Sequence, residues 1–312
     1  MPFDFAAISA PFRMQPGLRR VTPGAVQLTP ANSQSRSLRE KLAVLQSHAD
    51  QALVAEPDFD PAPALNALCV HAAAEHPQAF SGDGASTWHA HALGWSLRGE
   101  TPSGDGAPEI GTCLRALPAR WRLPALLALA FEQDFAVLDA RSGRIPWLAV
   151  CLPSHWAPED KVGRHFSEVH APVADNSILL AASDALVRLV TGAEPWERFV
   201  WTISADPGLQ QHPRRNPRTL WPPDAQSDAL AAQAFLRTEH QTFIPVPQLQ
   251  QAVFTIHVES EPLARAVNSA ERARSLHAAL ASMSPAVLAY RGLGDVQPRL
   301  LAWLAQRADD GA

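Results

Sequence analysis

An α+β fold follows from three features of the sequence. Apolar residues recur at helical spacing through residues 38–76 and again in SAERARSLHAALASM and RLLAWLAQR. Between them the period drops to two, as in the run where Phe199, Trp201 and Ile203 alternate with Arg198, Val200 and Thr202. The strand-like runs also arrive in pairs joined by turn residues, which implies antiparallel hairpins with one sheet face buried under helices. Apolar residues make up 46% of the 312, enough for a sizeable core and too many for a disordered chain.

Residues 1–34 are Pro-rich and aperiodic and read as an arm lying across the body, while residues 35–312 read as one domain. Ser37 and Glu40 make a capping-box pattern before Leu38, Leu42, Leu45 and Ala52, which share one helical face. A linker, PDFDPAP, precedes a second helix over about 63–76, stopped by Pro77. Residues 78–120, rich in Gly, Ser, Asp and Trp, read as a short irregular segment. A short helix from about Pro124 to Gln133 leads into FAVLDA, the turn Arg141-Ser142-Gly143, and IPWLAVCL, a hairpin.

Pro158 suits a first helical position and Glu159 and Asp160 suit the positive end of the helix dipole, so a helix is expected over 158–170. It would carry Val162, Phe166 and Val169 on one apolar face and end at Ala171-Pro172. A further helix would bury Ile178, Ala182, Leu186 and Leu189. After the strand containing Phe199 comes the loop HPRRNPRTLWPP, then FLRTEHQTFI and AVFTIHVE as a second hairpin joined by PVPQLQQ. Hairpin, helical crossover and three further strands match the order of the PAS fold. The expected architecture is a PAS-like antiparallel β-sheet with helices packed on one face, plus N- and C-terminal helical extensions.

Charge and motifs exclude several functions. The net charge is −5, so no global positive field exists to grip nucleic acid or an anionic membrane. Cys69, Cys113 and Cys151 are odd in number and far apart, which disfavours a disulfide framework or structural zinc and suits a reducing cytosol. No run approaches the roughly 20 apolar residues of a membrane span, and MPFDFAAISAPFRMQPG has no basic segment leading into an apolar one, so a cytoplasmic protein is expected. Gly-rich phosphate loops, His-Glu-x-x-His and Gly-x-Ser-x-Gly are missing from the sequence.

Two constellations carry chemistry. His170, the last residue before a forced helix stop, is either a C-terminal cap or a neutral imidazole ligand aimed into a pocket. Strand alternation puts Arg237, Glu239 and Gln241 on one face and Thr238 and His240 on the other. That polar row is either solvated or buried, and a buried Arg and Glu must pair with each other or with a ligand; His257 on the next strand poses the same question. His89 and His91 read as a surface pair or a weak metal site. Arg214, Arg215 and Arg218 read as solvated loop, or as partners for propionates or an acidic redox protein.

The motifs CLPSHWAPEDKVGRHFSEVHAPV, WTIS, RTEHQTF, VFTIHVE and AYRGL, with QPGL near the start and EQDFAVLD before the hairpin, resemble the haem-dependent oxidative N-demethylase alpha-subunit family across roughly residues 15–305. The resemblance implies a PAS-like haem b domain that removes a methyl group oxidatively from a small secondary amine such as dimethylamine, using dioxygen and releasing formaldehyde. Electrons would come from separate subunits carrying FMN and a 2Fe-2S cluster and drawing on NADPH. It further implies Trp156 and Lys161 as cofactor-binding residues, His170 as axial ligand of the haem iron, and Gln241 beside the cofactor. Glu239 would pair the substrate ammonium, and Arg237 would polarise dioxygen or hold a propionate. The chain departs from the family pattern at Thr238, His240 and Val200, where Val, Arg and Asn are expected. The competing implication is a non-catalytic haem-binding PAS-type sensor or interaction module.

Overall fold

The computed structural model describes residues 3–309; the first two residues of the expected arm and the last three of the body lie outside the described residues. Among the described residues the strands are, in chain order, β1 (Arg19–Arg20), β2 (Leu53–Ala55), β3 (Phe80–Gly82), β4 (Thr87–Ala90), β5 (Trp95–Arg98), β6 (Thr101–Gly104), β7 (Gln133–Asp139), β8 (Arg144–Ala149), β9 (Trp196–Ser204), β10 (Phe235–Val246) and β11 (Gln251–Pro262). They form a seven-stranded sheet, ordered β1-β9-β10-β11-β7-β8-β2, and a four-stranded sheet, β3-β4-β5-β6. All neighbours run antiparallel, as an α+β class requires.

Both expected hairpins are present. β7 and β8 turn through Gly143, whose φ of +67° is left-handed and whose absent side chain makes room for the His165 ring. β10 and β11 pair along their whole length, from Phe235↔Pro262 to Val246↔Gln251. Alternation along β7 sorts side chains between two cores. Phe135 and Val137 pack with Leu65 and Leu68 of the helix Ala62–Glu75 and Leu126 and Leu129 of the helix Ala119–Ala130. Leu138, with Phe243 and Ala252, packs instead against Val187 and Val190 of the helix Ser183–Val190. The crossover helices therefore cover one face, and the N-terminal extension covers the other. The C-terminal helices Ala270–Ala281 and Gln297–Asp309 build a further core with Trp201, Ile203 and Leu236. Burying each Leu or Phe side chain in these cores contributes about 1.5–3 kcal/mol.

Several local expectations are corrected. The helix Arg36–Ser47 begins after Ser35, so Ser37 lies inside it and its hydroxyl goes to Glu132. Glu40 accepts from Arg36 and from the N–H groups of Leu209 and Gln210, and no capping box forms. Residues 78–120 hold the four-stranded sheet and a helix, Pro108–Ala116. Those strands are three or four residues long, too short for a period of two to declare itself. The helix before β7 starts a turn earlier than Pro124, which sits inside it.

The helix expected over 158–170 is broken. A 3₁₀ turn spans Pro158–Asp160, Gly163 is left-handed with φ +72°, and a new helix runs Phe166–His170. His165 caps that helix: Nδ1 accepts from the Ser167 N–H, and the Glu168 carboxylate accepts the His165 N–H. Val162 consequently joins Leu148 and Val150, whereas Phe166 joins Leu138. The next segment is also two helices, Ser177–Ala181 and Ser183–Val190. Its buried stripe is Leu179, Ser183, Val187 and Val190, one position over from the expected face, leaving Ile178 57% and Leu189 41% exposed.

Candidate functional site

A cavity of about 620 Å³ opens between the β9–β10–β11–β7 face, the helices Phe166–His170 and Ser183–Val190, and arm residues Phe12–Arg19. That volume lies within the range of small-molecule and cofactor pockets. Trp156, Lys161, His170, Arg237, Glu239 and Gln241 all line it. Sequence-distant motifs thus meet at one surface.

The helix Phe166–His170 ends one residue before Ala171-Pro172, and Asn176 donates to the His170 carbonyl there. The His170 Nδ1 lies 2.8 Å from the Phe166 carbonyl oxygen, which can only accept, so Nδ1 carries the proton. Nε2 keeps its lone pair and has no protein partner among the described residues. Burial, reinforced by Arg198, pushes the His170 pKa down to about 4, so the ring is neutral at ordinary pH. A neutral imidazole tied through its other nitrogen is the form that ligates a metal. Lys161 donates to the Val169 carbonyl at 2.8 Å, which fixes the loop before this helix to its end.

The opposite wall is a polar chain on the sheet. Arg198 on β9 faces Gln241 on β10 and donates Nε to its Oε1 at 2.6 Å. Gln241 donates its amide to Glu239, and Ser154 donates its hydroxyl to the same carboxylate. Arg237 then donates Nε to Ser154 Oγ at 2.9 Å. Its other two nitrogens donate to the carbonyls of Gly208 at 2.9 Å and Leu209 at 2.8 Å. All three guanidinium nitrogens are therefore engaged inside the protein. These bonds pin the loops that carry Ser154 and Leu209. Burial brings its pKa down to about 10.

Arg198, Ser154, His155, Tyr290 and Arg291 also line the cavity and were not nominated from sequence. Arg198 was within reach of that reading, since alternation puts it on a face with Val200 and Thr202, directly across from Gln241. His155 has a left-handed φ of +58°, and burial lowers its pKa to about 4. Of the three family departures only Val200 lines the cavity; Thr238 and His240 belong to the reverse face.

Other candidates fall away. His89 on β4 and His91 in the 3₁₀ turn after it stack at 5.9 Å, His91 bonds Ser81, and no group of three or more metal-binding side chains exists among the described residues. Arg214 pairs with Glu159 and Asp160, so it is loop scaffolding, whereas Arg218 lines the cavity. His257 is buried on the reverse face. Among the described residues no helix is long and apolar enough to cross a membrane.

A protein-family model described as haem-dependent oxidative N-demethylase, alpha subunit-like, matches residues 31–301. No curated protein matches the sequence.

Proposed function

Because the chain belongs to the haem-dependent oxidative N-demethylase alpha-subunit-like family, we propose that it binds haem b through His170 and demethylates a small secondary amine of the dimethylamine kind. The observation that carries this reading is the His170 imidazole, held by Phe166 through Nδ1 and presenting Nε2 beside a cavity of about 620 Å³. The remaining lining fits the group as well. Leu138, Leu148, Phe254 and Ile256 offer apolar walls for a porphyrin, and Lys161 and Arg218 offer cations for its two propionates. Trp156 lines the same cavity and packs against Leu148 and Val150. The PAS-like description is supported by the central strands, in which the β9–β10–β11 meander returns to lie beside the β7–β8 hairpin.

Bound haem iron supplies the oxidising chemistry, with dioxygen as oxidant. The protein's part is binding and orientation. The Glu239 carboxylate is aligned by Ser154 and Gln241 to accept the N–H of the substrate ammonium, holding its methyl group at a fixed place in the cavity. Arg237 acts as a positioning residue through Ser154. Arm residues and the crossover helices exclude bulk water. In sum an N-methylamine, dioxygen, two electrons and two protons yield the demethylated amine, formaldehyde and water. The alpha-subunit-like family implies further subunits, and FMN, 2Fe-2S and NADPH on those subunits are the proposed electron route, in a cytoplasmic complex.

The test is spectroscopic. Purified chain reconstituted with haem is expected to show a Soret band that His170→Ala abolishes. No band in the unchanged chain, or an unaltered band in the variant, overturns the assignment. Consumption of NADPH with dimethylamine and the partner subunits would separate the enzyme from a haem-binding sensor.

A further inference from the structure

The cavity carries far more positive than negative charge. Lys161, Arg198, Arg218, Arg237 and Arg291 line it, and each donates to a carbonyl, amide or hydroxyl oxygen instead of a carboxylate; Arg13 and Arg19 line it too, Arg19 already paired with Asp4 and Glu197. The acids among its lining are Glu239 and Asp206, the latter already accepting from Asn216 and the Gly208 N–H. Two haem propionates would match two of the cations. A simple dialkylammonium would add a positive charge to those left over, and buried charge without a counter-ion is costly.

Arg198 is the cation placed to meet an anionic group on the substrate. It stands directly across from Gln241 and diagonally from Glu239, two residues along β10. Diagonal neighbours on one sheet face lie about 7–8 Å apart. Gln241 sits between the two, taking Nε of Arg198 and giving its amide to Glu239. That leaves the outer nitrogens of Arg198 open: Nη1 has only the Pro16 carbonyl at 3.5 Å, and Nη2 has no acceptor among the described residues. An α-amino acid carries ammonium and carboxylate on one carbon. With a hydrogen bond of about 2.8 Å at each end it spans such a gap.

We propose that the site takes zwitterionic N-methylated amino acids, N-methylglycine being the smallest, with the carboxylate on Arg198 and the methylammonium on Glu239. This rests on the haem-dependent demethylation reading and keeps its balance. The methyl C–H is oxidised and the N–C bond breaks. One oxygen atom of dioxygen leaves in formaldehyde and the other in water. Two electrons and two protons come from NADPH and solvent through the partner subunits, and glycine is released.

The experiment uses the full chain reconstituted with haem. The Soret band is recorded first, and N-methylglycine and dimethylamine are then titrated by calorimetry into the unchanged chain, Arg198→Gln and Arg198→Lys. N-methylglycine is expected to bind about tenfold or more tighter than dimethylamine in the unchanged chain. Arg198→Gln should weaken N-methylglycine about 10- to 100-fold and dimethylamine by less than about threefold. Arg198→Lys should fall between. A Soret band with dimethylamine bound as tightly as N-methylglycine overturns the substrate proposal and leaves the haem reading standing, as do equal losses for both ligands in Arg198→Gln. A missing Soret band overturns both. Should Arg198→Gln fail to fold, the affinity order in the unchanged chain and in Arg198→Lys decides.

Discussion

The two faces of β9 and β10 carry polar rows one residue out of step, and the rows have opposite fates. On the reverse face His240 meets Glu197 at 2.7 Å and stacks on Phe199 at 4.5 Å, while Thr242 bonds Thr255 at 2.8 Å. Arg19 from the arm closes that set on Glu197. These groups find their partners within the protein, so the row is sealed. On the cavity face the chain from Arg198 to Arg237 is satisfied only on its inner side, with donors and a carboxylate turned to empty space. Internal pairing marks a row as structural, and incomplete pairing in a buried place marks it as a binding surface. Arg237 is the exception, a cavity-lining residue with the bonding of a sealed one.

That exception gives the largest expected effect. Arg237→Ala strips partners from the half-buried Gly208 carbonyl and the buried Leu209 carbonyl and should lower unfolding stability by about 3–5 kcal/mol in urea titration. A loss below about 1 kcal/mol would return Arg237 to the binding side of the comparison.

His257, on β11 across from His240 and with its Nδ1 unpartnered among the described residues, should respond next, to acid. Burial pushes the His257 pKa down to about 3, against about 6.5 in an unfolded chain. Between those values the unfolded state binds more protons, so stability present at neutral pH is lost as pH falls from about 6.5 toward 3. The loss from this group is about 3–4 kcal/mol once relaxation of the buried site is allowed for. His257→Leu should flatten the pH dependence of the melting temperature; an unchanged slope would place the acid sensitivity elsewhere.

Glu197→Ala, on the same face, should cost about 2–3 kcal/mol by unpairing His240 while leaving haem affinity within about threefold. The smallest stability effect belongs to Glu239→Gln. It should stay within about 1 kcal/mol in urea yet weaken amine binding about tenfold by calorimetry. Equal losses of haem and amine would instead make Glu239 structural.

The cavity row was legible because strand alternation is strict, and Arg237, Glu239 and Gln241 needed only the period of two. Their neighbour Arg198 obeyed the same rule on β9, but its partner depends on register between strands about 40 residues apart. His170 does stand at a helix end, although the helix is shorter than apolar spacing predicts. Gly163 and the His165 cap interrupt it, and a left-handed glycine leaves no trace in apolar spacing. In the following segment the buried stripe lies one residue over, because Leu179, Ser183, Val187 and Val190 have the same helical spacing as the alternative stripe and spacing alone does not choose between them. The small sheet is not legible in the sequence because β3 to β6 hold three or four residues each.

One contact bears on how the binding chamber is finished. Arg19 reaches Glu197 across 178 residues of sequence, and the Pro16 carbonyl lies over Arg198. The flap can settle only when β9 exists to receive it. Closing so long a loop is entropically slow, and until it happens the chamber lacks one side. One wall of the cavity thus depends on a segment that docks only on a finished sheet edge.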